Sequence, residues 1–154
     1  IHRIRDLGLV VTTHTNSYIA KQGEILRKRV GPDAEDTIVP LRKLRDAGVP
    51  VALATDNVPT SLWNPIAQTI TRLDRYAQRA IAPSQRLTRE EALRAATTAG
   101  AWLTFEEPEK GTLEPGKLAD LAGLSANPLT VEETRIAEIV ADVTIVGGRV
   151  VFER

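Results

Sequence analysis

The chain has 154 residues with 20 basic and 20 acidic side chains, so its formal net charge at pH 7 is zero. No block of like charge stands out, which argues against binding to nucleic acid or to a membrane surface driven by net charge. The absence of cysteine excludes a disulfide framework, a thiolate metal site and a cysteine nucleophile. No apolar run approaches the ~20 residues of a membrane-spanning helix.

The sequence begins at Ile1 and contains no methionine. We therefore expect a fragment or a processed part of a longer protein, whose N-terminal part would be a partner of this chain. Nothing at the start is typical of a signal peptide, and the cytoplasm is the compartment that we expect. Homo-oligomerisation stays open.

Two successive units of helix followed by strand are predicted in the first part of the chain. In the first unit, a short helix precedes a β-rich run, residues 9–13, which ends at His14. In the second, a helix that starts at Pro40 precedes the apolar run of residues 51–54. A long loop with one short helix over residues 24–30 connects the two units. This repeat is typical of an α/β fold with a parallel sheet.

Asp56 follows the second predicted strand directly. Since the carboxyl ends of parallel strands meet at one edge of a sheet, we expect His14 and Asp56 at the same edge, where loops build active sites. Asp56 is therefore our candidate for a catalytic carboxylate. An aspartate beside Asn57 is also typical of an Asx-turn that caps a loop. The spacing leaves both interpretations open.

The middle of the chain is predicted to be helical. Asn64, as the N-cap, opens a helix that runs to about Arg79. Arg72 lies on the face of this helix that we expect to be solvated or salt-bridged. Thr88 and Glu91, three residues apart, form a capping box for an alanine-rich helix.

A further short helical segment follows the alanine-rich helix. Gly100 is expected to interrupt the helix before it. Trp102 and Phe105 are expected to be core anchors rather than ligand platforms.

The last third of the chain is predicted to contain strands and turns. Glu114–Lys117 suits a type II turn before a strand over residues 118–124. Residues 139–146 and 149–153 form a predicted hairpin around Gly147–Gly148. Three strands need a partner sheet to cover their apolar face, and the sequence supplies none.

Two ordered motifs resemble the metal-dependent amidohydrolase superfamily, in the branch with a urease-like composite domain. Lys110–Leu121 resembles the superfamily signature before the final β-sandwich strands, and Thr144–Val151 resembles its terminal hairpin. Residues 88–99 resemble the preceding helix, and Ala54–Asp56 matches the aspartate at the end of barrel strand eight. The resemblance spans essentially the whole chain.

The resemblance implies an α/β fold: the C-terminal part of a (β/α)8 TIM-like barrel plus strands of a small composite β-sandwich. Residues 1–108 would supply the last βα units and terminal helices of the barrel, and residues 109–154 the C-terminal sandwich strands. It also implies one or two divalent metal ions, usually zinc, with most ligands upstream of this sequence.

The resemblance implies that Asp56 contacts the metal, accepts a proton from the attacking water and delivers it to the leaving nitrogen. The reaction would be hydrolysis of carbon–nitrogen bonds other than peptide bonds in a small-molecule substrate, by general base catalysis on a metal-activated water. His14, Asn57 and Trp63 are candidate substrate contacts, although a packing role is equally open for Trp63.

Two other functions stay open. The same scaffold supports deamination of an amino-substituted ring in the intact parent protein. As an isolated chain without the upstream ligands, the polypeptide would be a non-catalytic structural or binding fragment. A serine hydrolase or a phosphate-binding protein is disfavoured, since neither a Gly-x-Ser-x-Gly element nor a glycine-rich loop is present.

Overall fold

The computed structural model describes residues 1–56 and 61–154, which form a mixed chain of short helices and strands. The α-helices of this part are α1 (His2–Asp6), α2 (Gly23–Val30), α3 (Leu41–Asp46), α4 (Trp63–Thr71), α5 (Arg89–Ala96) and α6 (Thr98–Leu103). The strands are β1 (Val11–Thr13), β2 (Val51–Leu53), β3 (Leu73–Asp74), β4 (Arg79–Ala80), β5 (Leu121–Leu124), β6 (Ala141–Val146) and β7 (Arg149–Glu153). A π-helix covers Asn16–Lys21, and 3₁₀ turns cover Pro32–Thr37, Pro83–Gln85 and Glu133–Glu138.

The parallel pairing of β1 with β2 confirms the predicted repeat of helix and strand. Thr13 lies opposite Leu53 in this register, so the two strands end together. Each strand follows a helix that closes on a glycine with positive φ, +65° at Gly8 and +78° at Gly48. Such a glycine turns the chain at a helix end without a Cβ penalty, which lets each short helix lead directly into its strand.

The main core surrounds the strand that carries Asp56. Its buried apolar side chains come from β2, the three helices α3 to α5, the loop before α5, and the segment around the last 3₁₀ turn: Leu41, Leu53, Ile66, Ala67, Ile70, Leu87, Ala92, Ala95, Ile136 and Ile139. Removal of this apolar surface from water, rather than the few strand hydrogen bonds, holds β2 in place. Among the described residues, no helix is both long enough and apolar enough to traverse a bilayer.

The bounds of α4 differ from the prediction. The helix begins at Trp63 with Leu62 at the N-cap position, and Trp63 N donates to Ser61 Oγ at 3.3 Å. The prediction that Asn64 is the N-cap was therefore wrong, because Asn64 lies inside the helix. The predicted extension to Arg79 was also wrong: the helix ends at Thr71, and the β3–β4 hairpin follows.

Arg72 ends α4 and is buried instead of solvated, which corrects the second expectation for this helix. Its backbone is left-handed at φ +54°, and its side chain is fully buried. The guanidinium donates to the carbonyl oxygens of Ile81 at 2.6 Å, Ile38 at 2.7 Å and Val39 at 3.1 Å. Periodicity could not reveal this, because the acceptors belong to two other chain segments.

The capping box of α5 is confirmed, but the break after it is displaced. Thr88 Oγ1 accepts from Glu91 N, and the Glu91 carboxylate accepts from Thr88 N. The helix breaks at Thr97, whose hydroxyl donates to Leu93 O at 2.9 Å. A side-chain hydrogen bond to the carbonyl group four residues earlier often bends a helix. Gly100 therefore lies within α6, contrary to the prediction.

The aromatic side chains around the end of α6 are not core anchors. Phe105 is 87% exposed and Trp102 38% exposed. Phe105 follows the helix end with φ +61°, and Glu106 N donates to Ala101 O across this turn at 2.9 Å. The expectation of burial was wrong for Phe105 above all.

The C-terminal strands form an antiparallel sheet in the order β5-β6-β7. Gly147 and Gly148, at φ +55° and +77°, make the predicted two-residue hairpin turn, which requires two positive φ angles. The turn at Glu114–Lys117 is also present, with Lys117 N donating to Glu114 O at 3.1 Å and Gly116 at φ +92°. The strand after it starts at Leu121, later than predicted.

Candidate active site

His14 and Asp56 lie side by side at the carboxyl edge of the β1–β2 pair. Asp56 Oδ2 is 3.5 Å from His14 Nδ1. The Asp56 side chain is 54% exposed and that of His14 28% exposed. The parallel register therefore brings together the two polar residues that the strand-end argument places at one edge.

The backbone at Asp56 adopts a left-handed conformation, with φ +52°. This region is uncommon for residues other than glycine, although aspartate tolerates it better than most. The carboxylate stays accessible at the edge, since the side chain is 54% exposed. The Asx-turn interpretation involves Asn57 and the residues after it, and residues 57–60 lie outside the described part of the chain.

Side chains from α4 hold the backbone that follows His14. Thr15 is fully buried, and its hydroxyl donates to Gln68 Oε1 at 2.9 Å. The Gln68 amide donates to Asn16 Oδ1 at 3.4 Å, and Arg75 Nη2 donates to the same oxygen at 3.1 Å. Helix α4 thereby fixes the chain at the end of β1.

An aromatic ring covers one side of the imidazole. Tyr18, in the π-helix, lies with its ring centroid 4.7 Å from that of His14 at a tilt of 35°. Such π-helical turns are often found at functional sites. The Tyr18 ring is 42% exposed, so it also forms part of the surface beside the His14–Asp56 pair.

The other two candidate substrate contacts are less informative. Trp63 is half-buried at the start of α4, and its side chain packs against the main core. This contact supports the packing interpretation without testing a substrate role. Asn57 lies outside the described residues.

The fit of a divalent metal to this edge depends on the donors present. Within residues 1–56 and 61–154, no three His, Asp or Glu side chains are grouped as a metal site. An exposed carboxylate beside an imidazole is nevertheless a donor set that zinc accepts. Asp56 can thus offer a carboxylate oxygen to a metal ion at this edge.

Sequence reasoning missed Tyr18, Thr15 and Gln68. Helical spacing places Gln68 on the side of α4 opposite Ile66 and Ile70 and so predicts exposure, but that side of the helix is buried as well, Gln68 included. A polar side chain on a buried face must find a partner. Its partner could not be named, because Thr15 is distant in the sequence.

Comparison with known proteins identifies relatives of this chain. A profile described as the amidohydrolase family matches residues 1–152. The N-substituted formamide deformylase of Arthrobacter pascens is 30% identical over 155 residues, which cover 99% of this chain and 28% of that protein. The imidazolonepropionase of Streptococcus pyogenes serotype M3 is 33% identical over 114 residues, 70% of this chain and 25% of that protein.

A solved structure shows the same fold. The crystal structure of an uncharacterized metal-dependent hydrolase from Pyrococcus furiosus has a TM-score of 0.64 and 24% identity, over 83% of this chain and 26% of that one. The chain thus spans between 25% and 28% of the length of these three proteins.

Proposed function

Because this chain belongs to the amidohydrolase family, we propose that it forms the carboxyl-terminal part of a metal-dependent enzyme that hydrolyses carbon–nitrogen bonds other than peptide bonds. The observation that carries the proposal is the position of Asp56, an accessible carboxylate at the carboxyl end of a parallel strand, beside His14. In barrel enzymes this end of the strands carries the chemistry.

The proposed architecture places β1 and β2 as the last two strands of a (β/α)8 barrel. Residues 1–108 would complete the barrel, and residues 109–154 would contribute strands to a small composite β-sandwich. The N-terminal part of the same protein would supply the remaining strands and most metal ligands. The parallel β1–β2 pair and the separate antiparallel sheet β5–β7 support this division.

Asp56 has two tasks in the proposed mechanism. A divalent metal, for which zinc is our expectation, supplies Lewis acidity that lowers the pKa of water toward ~7. Asp56 would contribute a carboxylate oxygen to that metal, would accept a proton from the attacking water and would transfer it to the leaving nitrogen. The exposure of its side chain leaves it accessible to a small molecule. His14, Asn57 and Trp63 would contact that substrate around the carboxylate.

Substitution of Asp56 tests this function. In the complete protein that contains this chain, Asp56→Asn should lower kcat by at least about 10²-fold, because the amide can neither accept the proton nor replace the charge. Turnover would be followed as amine release from a panel of N-substituted formamides and other amides, with and without removal of metal by a chelator.

An exposed aspartate provides the matched control. Asp33→Asn, in the 3₁₀ turn Pro32–Thr37, makes the same chemical change on the surface and should leave turnover unchanged. Turnover of Asp56→Asn close to that of the unmodified protein would refute the catalytic role. Ammonia release from amino-substituted rings, with no amide hydrolysis, would favour the deaminase alternative.

A further inference from the structure

The imidazole of His14 contains an unsatisfied buried atom. Nδ1 is buried and has no hydrogen-bond partner among the described residues. Buried polar atoms without a partner are rare in native proteins and call for an explanation, of which a catalytic role is one. Asp56 Oδ2, at 3.5 Å, is a carboxylate acceptor just beyond the usual N–H···O range of ~2.7–3.2 Å.

The imidazole is held more firmly than the carboxylate. The residue after His14, Thr15, is fully buried, and its hydroxyl donates a hydrogen bond to Gln68 on α4. The ring of Tyr18 packs against the imidazole of His14, with 4.7 Å between the two ring centroids. Asp56, in contrast, is 54% exposed at the end of its strand. A displacement of a few tenths of an ångström that closes the gap is therefore expected from Asp56 and not from His14.

We propose that His14 is a positioning residue for Asp56. The Nδ1–H of His14 donates to Oδ2 of the Asp56 carboxylate, which leaves Oδ1 for the metal and the attacking water. This inference rests on the proposed function of Asp56. Carboxylates that bind metals are themselves held by hydrogen bonds from neighbouring groups, and these bonds set the direction of the coordinating oxygen. Catalytic hydrogen bonds that are long in the free enzyme commonly shorten in the loaded enzyme.

A positioning role and a substrate contact leave different signatures. If His14 holds Asp56, its loss lowers metal affinity and kcat together, since both depend on the orientation of one carboxylate. If His14 only contacts substrate, its loss raises KM and leaves metal affinity unchanged. Metal affinity, measured by competition with a chromogenic chelator, needs no substrate and so separates the two roles.

Two replacements of His14 make the test specific for the Nδ1 donor. In the complete metal-loaded protein, His14→Ala should weaken metal affinity and lower kcat by about 10- to 100-fold. His14→Asn places an amide N–H close to the position of Nδ1 and should restore most of both losses. His2→Asn, on the exposed helix α1, is the matched control and should change neither.

The outcomes that overturn the inference are distinct from failure of the proposed function. Unmodified metal affinity and kcat in His14→Ala, with or without a raised KM, refute positioning while Asp56→Asn remains inactive. Equal losses in His14→Ala and His14→Asn refute it as well, because the donor would then be irrelevant. An active Asp56→Asn variant refutes the proposed function itself. If circular dichroism shows that His14→Ala does not fold, His14→Asn is compared with His14→Gln instead. The amide of glutamine reaches past the position of Nδ1, so only asparagine replaces the donor. Equal metal affinity and kcat in these two variants would refute positioning.

Discussion

Arg72 is a buried cation that binds backbone carbonyl groups from two separate segments. Ile38 and Val39 end the long connection after β1, while Ile81 follows the β3–β4 hairpin. Burial lowers the pKa of the guanidinium to about 10, and the nearby carboxylates of Asp36 and Glu35 oppose this shift. Arg72 therefore stays charged at neutral pH and acts as a cross-link between the two segments.

Substitution of Arg72 should be strongly destabilising. Arg72→Met keeps a long apolar side chain but removes the guanidinium donor from three carbonyl oxygens, of which Val39 O still accepts from Leu41 N. We therefore expect a loss of about 3 kcal/mol or more in the free energy of unfolding. Chemical denaturation would measure it. Arg29→Met, at an exposed position of α2, is the control and should stay within about 0.5 kcal/mol. A loss below about 1 kcal/mol in Arg72→Met would contradict the cross-link.

Between elements, Glu91 joins the start of α5 to α3. Its carboxylate accepts from Arg42 Nη2 at 2.6 Å, from Arg45 Nε at 2.9 Å and from Thr88 N at 2.8 Å. The hydrogen bond from Arg42 is the largest cause that lowers the pKa of Glu91 to about 2, supported by the Thr88 amide and both arginine charges and opposed by burial.

This lowered pKa predicts a pH dependence of stability. Since the unfolded chain binds a proton at Glu91 near pH 4.5 and the folded chain only near pH 2, the stabilisation is complete above pH 4.5 and is lost as the pH falls toward 2. The 14% exposure of this side chain permits a contribution of about 3 kcal/mol at neutral pH.

Urea denaturation between pH 2 and pH 6 would measure the contribution of Glu91. Glu91→Gln should be less stable than the unmodified chain above pH 4.5, and the difference should shrink toward pH 2. Glu90→Gln, the exposed neighbour on the same helix turn, is the matched control. A constant difference at every pH would show that the effect of Glu91 is not electrostatic.

At the scale of the whole molecule, large apolar side chains remain exposed on the C-terminal sheet. Val150, Val151 and Phe152 of β7 are 60%, 61% and 49% exposed. A three-stranded sheet is stable when one face is covered, and contiguous exposed apolar surface marks an interaction site. The exposure of these side chains supports the proposal that further polypeptide completes the sandwich.

The denatured mass of the polypeptide isolated from its source tests this proposal. The 154 residues correspond to 16.8 kDa. We expect a mass well above this value, since a complete barrel needs ~250 residues. A mass of 16.8 kDa would mean that the metal ligands come from a partner chain or that the protein is not catalytic.

The elements that the sequence alone determined are those whose cause is local. The capping box of Thr88 and Glu91 joins residues three apart, and the turn at Gly147–Gly148 depends on two adjacent residues that tolerate positive φ. The edge shared by His14 and Asp56 follows from the repeat of helix and strand, because parallel strands deliver their carboxyl ends to one side.

The tertiary structure alone decided the features that depend on partners distant in the sequence. Arg72 ends α4 because carbonyl groups of other segments accept its guanidinium, and no periodicity contains that information. The hydrogen bond between Thr15 and Gln68 fixes the backbone after His14. It joins the end of β1 to α4, which come together only in the folded chain. A buried polar group must find a partner, and which partner it finds depends on how the elements pack.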